Sequence, residues 1–355
     1  MQPRIVVDLK KFRKNARVMF DMCHQNGISA SAVTKVFCAS KPLVEALIEE
    51  GADFLADSRL KNISEYPKTS IKKILLRLPS IDEAEETVRL CDISLNSEAL
   101  TMRSLADAAK SQGKRHGIVL MVDVGDLREG MYWKNIDLIS NSAEYASKEP
   151  WLDLIGIGVN LTCYGSIIPS EENLGRLCAV ATELESRLGI VLPHISGGNS
   201  SSIHLLLSGR MPKKISNLRL GEAIARGCET AYSKPIDGLD QDLALLEAQL
   251  IEIQEKPSYP EGDIGLNAFG EKPSFEDKGR RKRGVLAIGR QDTDSSGISC
   301  ATPGVFILGA SSDHLIVDLT EAEKVFKIGD ILRFKMNYSA ILRGFTSRYV
   351  DKAFI

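Results

Sequence analysis

Between residues 28 and 221, short apolar runs alternate with stretches whose apolar residues recur at helical spacing. The apolar runs fall at 28–33, 53–56, 74–78, 92–95, 117–124, 154–159, 192–195 and 218–220, and helical spacing is seen at 42–50, 82–90, 98–111, 171–188 and 201–207. Strands that alternate with helices build βαβ units and a parallel sheet. Eight such units close into a barrel. An open, doubly wound sheet usually has fewer strands and a glycine-rich first turn, and no Gly-x-Gly-x-x-Gly follows the first run here.

The pattern changes after residue 235. Apolar runs at 248–253, 284–288, 305–308, 315–318 and 331–336 follow one another without a long helical period, which predicts an all-β domain. The expected fold is therefore α/β: a (β/α)8 TIM-type barrel over residues 1–235, then a C-terminal β domain over 236–355. Ile5-Val6-Val7, ahead of the helical spacing at 9–24, is expected to join the β domain. Residues 255–283 are polar and rich in Pro and Gly, and predict a long exposed hairpin or loop. The Arg280-Arg281-Lys282-Arg283 cluster within them reads as a solvated turn.

Composition narrows the class. The 355 residues are 43% hydrophobic and 26% charged, with a net charge of −2. That is an ordinary globular balance, with no electrostatic case for nucleic acid or membrane as the main partner. The seven cysteines form no Cys-x-x-Cys pair, so free thiols in a reducing cytoplasm are expected, without disulfides or structural metal. Met-Gln-Pro-Arg leading into Ile5 lacks the long apolar core of a secretory signal.

Barrel enzymes place reactive groups after the C-terminal ends of their strands. The first strand is rich in small side chains, which leaves room for a planar ligand, and it leads into Thr34-Lys35. A lysine there suits a Schiff base, because partial desolvation makes its amine nucleophilic. After the seventh strand comes Ser196-Gly197-Gly198-Asn199-Ser200-Ser201-Ser202, and after the eighth Arg219-Leu220-Gly221-Glu222. Glycines admit a ligand close to the backbone, serines add donors, and loops seven and eight are where barrels commonly bind phosphate. Any one of these features is common as an N-cap or a surface lysine; their joint placement is what points to a phosphorylated ligand.

These residues resemble the alanine-racemase family of fold-type-III pyridoxal-phosphate enzymes, and within it an ornithine-racemase-like branch, over nearly the whole chain. Thr34-Lys35-Val36 stands in the place of the family's Val-Lys-Ala motif, and the segment from Met121 to Gly130 resembles its strand ending in Asp-x-Gly-x-x-Arg-x-Gly. Gly198-Asn199-Ser200 resembles Ala-Asn-Ser, and Arg219-Leu220-Gly221-Glu222 resembles Arg-x-Gly-Ile. The resemblance implies pyridoxal 5'-phosphate on Lys35, with Arg219 at the pyridine nitrogen and the phosphate held by Ser200 and the amides near Gly221 and Glu222. It also implies Arg128 at the substrate carboxylate and Asn160 where a ring-stacking histidine often stands. The stretch from Ile307 to Asp318 resembles a β-domain segment that puts Asp313 into a partner subunit's site, so a homodimer with shared active sites is implied.

Two departures matter. Ala39 stands where the family's lysine motif continues to a tyrosine, and Arg290 stands where it has its second catalytic base. An arginine stays protonated and makes a poor base, so Tyr338, in Met336-Asn337-Tyr338-Ser339, is the substitute candidate. The implied activity is racemisation of ornithine or another basic amino acid by Cα proton exchange. Racemisation of alanine, and a non-racemase of the same fold, are the alternatives. Related fold-type-III enzymes fit less well: a carrier protein would lack the β domain, an aldolase would show a His-x-Cys metal pair, and a decarboxylase a Cys-Asp pair near the C-terminus. A barrel that only binds a phosphorylated metabolite is the competing non-enzyme.

Overall fold

The computed structural model describes residues 2–355. The chain divides into two compact units: Lys10–Gln241, and the segment up to Leu9 joined with Asp242–Ile355. The strands are β1 (Arg4–Val7), β2 (Ser29–Val33), β3 (Phe54–Asp57), β4 (Lys72–Leu75), β5 (Ile93–Asn96), β6 (His116–Asp123), β7 (Met131–Tyr132), β8 (Leu152–Gly158), β9 (His194–Ser196), β10 (Asn217–Leu220), β11 (Ala244–Pro257), β12 (Arg280–Leu286), β13 (Ile298–Cys300), β14 (Phe306–Ala310), β15 (Leu315–Asp318), β16 (Ile331–Met336) and β17 (Asp351–Phe354). The helices are α1 (Leu9–Gln25), α2 (Lys41–Glu49), α3 (Leu60–Ser64), α4 (Ala84–Leu90), α5 (Ala99–Ser111), α6 (Ile136–Lys148), α7 (Glu171–Leu188), α8 (Ile203–Leu207), α9 (Glu222–Arg226) and α10 (Tyr338–Thr346).

In the first unit the strands run β5-β4-β3-β2-β10-β9-β8-β6, all parallel, and a β5–β6 pairing closes the ring into the eight-stranded barrel expected from the sequence. All eight residues of β6 are buried, as a strand covered on both faces requires. Ala56, Ile74, Ile93, Leu95, Val119 and Met121 form an apolar cluster across β3 to β6. The helices bury one stripe each. In α1 the buried positions are Phe12, Asn15, Ala16, Met19, Phe20 and Cys23, spaced three and four apart. Asn15 is tolerated there because its carboxamide bonds Ile224 O (3.1 Å), Asp240 O (2.8 Å) and Asp240 N (2.8 Å).

The serines of β2 take hydrogen bonds from the neighbouring strand: Asn217 Nδ2 donates to Ser29 Oγ (3.1 Å) and Ser31 Oγ (2.9 Å) across the β10–β2 seam.

The second unit is a sheet in the order β13-β16-β11-β12-β15-β14, with β1 antiparallel to β11 and parallel to β17. Two sequence readings are corrected here. The basic cluster at 280–283 opens strand β12 and is not a turn, because the β11–β12 ladder runs out to Pro257 and Arg280. Within it Arg281 donates to Asp318 at the end of β15 (2.8 Å) and to Glu321 just beyond it (2.7 Å). The unit also contains a nine-residue helix, α10, where the apolar runs suggested only strands. Asn337 starts it by accepting from Ala340 N (3.0 Å), a cap that favours helix over continued strand. Among the described residues no helix is long and apolar enough to cross a membrane, no His/Cys/Asp/Glu group could hold a metal ion, and no disulfide joins any of the seven cysteines.

Candidate active site

Nine of the eleven residues singled out from the sequence lie at the C-terminal ends of the barrel strands. Lys35 follows β2 and opens a single 3-10 turn, Lys35–Phe37, in which it is half-buried. Gly221, after β10, packs against the end of β2: a Cβ there would lie 3.0 Å from both the carbonyl oxygen and the Cβ of Val33. Glycine is thus what lets the eighth loop close on the strand that carries the lysine.

Arg219 is buried on β10 and its guanidinium is fixed. It donates to Ser196 Oγ (2.5 Å) on β9 and to the Val159 carbonyl (2.7 Å) just after β8. Ser196 Oγ in turn donates to Asn217 Oδ1 (2.8 Å), so three strand ends are braced through one cation. Burial pulls the Arg219 pKa down to about 10, helped by the neighbouring Arg128 and opposed by Glu129. It remains protonated at neutral pH, a hydrogen-bond donor that does not give up its proton.

The loop after β9 places Gly198 at φ +106°, in the region that favours glycine, where a Cβ would lie 2.9 Å from Ser202 Oγ. Asn199 caps the following turn by accepting from Ser201 N (2.8 Å). Ser200 Oγ accepts from Ala223 N (3.0 Å), tying the loops after β9 and β10 together. The Ser201 hydroxyl is buried without a hydrogen-bond partner. Asn160 lies between Asn199 Nδ2 (3.2 Å) and the Arg128 guanidinium. With its amide oxygen turned to Arg128 it accepts from both terminal nitrogens, at 2.8 and 3.2 Å. Glu222 pairs with Arg226 one turn along α9.

Sequence reasoning missed several partners. Glu129 grips Arg128 through Nε and a terminal nitrogen, the fork geometry suited to a carboxylate. Burial lowers the Arg128 pKa, but the Glu129 bond, the Glu129 charge and the lesser pull of Asp126 together outweigh it and the net shift is upward. Asp126, buried at the β6 loop, accepts from Thr162 N (2.9 Å), Tyr164 N (3.1 Å) and Ile167 N (3.1 Å) and so holds the loop after β8. An acid adjacent to the arginine and another two before it were visible in the motif, but nothing in the order of residues assigned them partners.

Asp313 and Tyr338 belong to the other unit. Asp313 is exposed between β14 and β15 and accepts from Gln291 Nε2 and Ser312 Oγ, the latter at 2.8 Å. Tyr338 is the first residue of α10 and is half-buried. Arg290, in the position expected for a tyrosine, is committed elsewhere in its unit. It donates to Glu271 Oε2 (2.9 Å) and lies 4.2 Å over the Phe269 ring, so it anchors the 258–279 segment.

The fold and these residues together define a closed parallel barrel with a joined β unit, its polar and cationic groups gathered at the C-terminal mouth of the barrel. The chain belongs to the alanine racemase family: the alanine racemase N-terminal domain matches residues 7–226. Ornithine racemase of Acetoanaerobium sticklandii is 47% identical over 352 residues, 99% of each chain. Lysine racemase of Thermotoga maritima is 37% identical over 354 residues, 99% of this chain and 98% of that one. The solved alanine racemase of Bartonella henselae, with covalently bound pyridoxal phosphate, has the same fold, with a TM-score of 0.73, 15% identity and 100% of both chains covered.

Proposed function

We propose that this enzyme interconverts the L and D forms of a basic amino acid, ornithine first, with pyridoxal 5'-phosphate on Lys35. The choice of ornithine draws on the full-length similarity to ornithine and lysine racemases. The observation that carries the site is the convergence of Lys35, Arg219 and the Gly198–Ser200 loop on adjoining strand ends.

The residues present fit the cofactor. Gly198 leaves its backbone bare at a left-handed position, and the buried Ser201 hydroxyl lacks a partner that a phosphate oxygen would supply. Ser200, with the backbone at Gly221 and Glu222, completes the phosphate set, and Asn160 lines the ring. When bound, pyridoxal phosphate withdraws electrons from the α-carbon of an attached amino acid and so acidifies its hydrogen. Lys35 would hold the cofactor, and its amine would take or return that proton on one face. Arg219, fixed and protonated, would stand at the pyridine nitrogen as a hydrogen-bond donor and discourage its protonation, which would favour return of the proton over other outcomes. Arg128, aligned by Glu129, meets the substrate carboxylate. Tyr338 is the proposed acid/base for the opposite face, and Asp313 the proposed partner of the side-chain amine, both reaching the site from a second copy of the chain in a homodimer.

The test is chiral chromatography of L-ornithine, L-lysine and L-alanine after incubation with the purified protein and pyridoxal phosphate. D-ornithine should form fastest. Preferential conversion of alanine, or no inversion of any of the three, would sink the reading. Lys35→Ala should lose both inversion and borohydride-fixed cofactor. Shared sites have their own check: mixing inactive Lys35→Ala with inactive Tyr338→Phe should restore part of the activity, and no recovery from subunits shown to exchange would exclude sharing through Tyr338.

A further inference from the structure

The turn that carries Lys35 is strained and rests on a buried polar group that the proposed chemistry does not use. After Lys35–Phe37 the chain passes through two consecutive non-glycine residues at positive φ, Cys38 (50°) and Ala39 (52°). Side-chain crowding makes such a conformation cost about 1–2 kcal/mol per residue, and it persists only where the surroundings enforce it. The enforcement comes from Thr34. Its backbone N–H donates to Ala56 O (2.9 Å), and its carbonyl accepts from Phe37 N and Ala39 N, each at 3.2 Å.

Thr34 is itself fixed from below. Its side-chain oxygen lies 2.6 Å from Asp57 Oδ2 and 2.7 Å from the Tyr66 hydroxyl. Thr34 and Asp57 have no exposed surface, and Tyr66 is buried too. Asp57 is held in turn at Oδ1 by Arg59 N (2.9 Å) and Asn62 Nδ2 (3.0 Å). A threonine hydroxyl has one proton. With that proton given to the Asp57 carboxylate, the Thr34 oxygen can only accept from Tyr66. The chain Tyr66→Thr34→Asp57 then has a single direction and a single geometry. Burial raises the Asp57 and Tyr66 pKa values, Asp57 against the pull of its hydrogen bonds, so the group is costly to keep in the interior.

We infer that Thr34, Asp57 and Tyr66 are positioning residues for Lys35, a buried hydrogen-bonded chain that holds the strained lysine turn in register. This rests on the reading of Lys35 as the cofactor lysine. A lysine that must reach a substrate proton loses rate steeply when its backbone drifts, on the order of 100-fold for a 1 Å displacement. The network supplies rigidity at the one residue that both the strand end and the turn share.

The experiment compares Thr34→Val, which removes the hydroxyl at nearly constant shape, with Thr34→Ser, which keeps it, and with Tyr66→Phe, which removes one bond. Two readouts are taken: kcat and KM for ornithine, and hydrogen exchange across residues 34–40 in the cofactor-free protein. Thr34→Val should lower kcat on the order of 30- to 100-fold with KM changed less than about 3-fold. Exchange across 34–40 should rise in that variant, Tyr66→Phe should fall between, and Thr34→Ser should restore both readouts. Unchanged exchange and unchanged kcat in folded Thr34→Val or Tyr66→Phe would overturn the inference. So would failure of Thr34→Ser to rescue, since packing of the methyl group would then be the cause. If the wild-type protein shows no inversion of any amino acid, the functional reading fails, while the exchange comparison still decides whether the network holds the turn.

Discussion

Mild acid should destabilise the barrel through two buried histidines. His116 opens β6 and lies 2.8 Å from Ser94 Oγ; His194 opens β9, edge-on to Phe54 with ring centroids 5.5 Å apart. Burial lowers both from 6.5 to about 4, with the positive charge of Lys114 adding to the effect at His116 and that of Arg219 at His194. Each is therefore neutral in the folded protein at pH 5, whereas the unfolded chain protonates it below 6.5. The folded pKa is depressed, so the stability these groups carry is complete above 6.5 and is lost as pH falls towards 4. At pH 5 the gap is about 1.5 pH units per histidine, or about 2 kcal/mol each and about 4 kcal/mol for the pair. The assay is urea unfolding followed by the fluorescence of Trp133 and Trp151, the only two tryptophans and both in the barrel. Working at pH 5 and 7 stays above the range where most carboxylates titrate. His116→Gln should lose roughly half as much stability over this interval as wild type, on the order of 2 kcal/mol less. A wild-type loss below about 1 kcal/mol, or an identical loss in His116→Gln, would refute the assignment of neutral buried imidazoles.

Three further outcomes are expected. Arg219→Lys keeps the charge but not the planar fork that reaches both Ser196 and Val159, and kcat should fall roughly 100-fold, as for loss of a preorganised donor; a change below 3-fold would show that the fork is dispensable. Gly198→Ala forces a Cβ into a left-handed position 2.9 Å from Ser202 Oγ, and should cost about 1–3 kcal/mol of stability and weaken cofactor uptake in fluorescence titration. Unchanged uptake would remove that loop from the phosphate set. Arg290→Ala removes the Glu271 pair and the Phe269 ring contact, so limited proteolysis within 258–279 should accelerate, and an unchanged cleavage rate would mean that Arg290 does not anchor the segment.

The barrel was legible in the sequence because eight short runs, buried along most of their length, alternate with helical spacing, even where a strand carries small or polar residues as β2 and β10 do. Lys35 and the Gly198–Ser200 loop could be found because they follow such runs, and Arg219 because it lies within the last of them. Three features were hidden, each for a physical reason. Helix α10 depends on one Asn337 cap after a clear strand, and a capping bond outweighs a weak local pattern. The basic residues at 280–283 look solvated in sequence, yet cross-strand pairing sets Arg281 opposite acids some forty positions away. The chain of Thr34, Asp57 and Tyr66 joins residues 23 and 32 positions apart, and the parallel pairing of β2 with β3 brings them within hydrogen-bond reach.

The charge pattern at the barrel mouth constrains the proposed substrate. Arg128 and Arg219 stand close enough to lower the latter's pKa, a balance that suits an anionic phosphate and a substrate carboxylate. The carboxylates on the loops after β6 and β10 are already engaged. Asp123 accepts from Gly125 N and Leu127 N, Asp126 from three backbone amides, Glu129 from Arg128, and Glu222 from Arg226. A side-chain ammonium on the substrate would have to displace one of these bonds and leave a buried or half-buried group unpaired, which costs about 1–3 kcal/mol. Glu222 is thereby a poor choice for that amine. Asp313 accepts from Gln291 and Ser312, neutral groups, and it is exposed, so it can accept a further donor without breaking an ion pair. On this reading the barrel recognises what every α-amino acid has in common, and the β unit recognises what makes ornithine different from alanine.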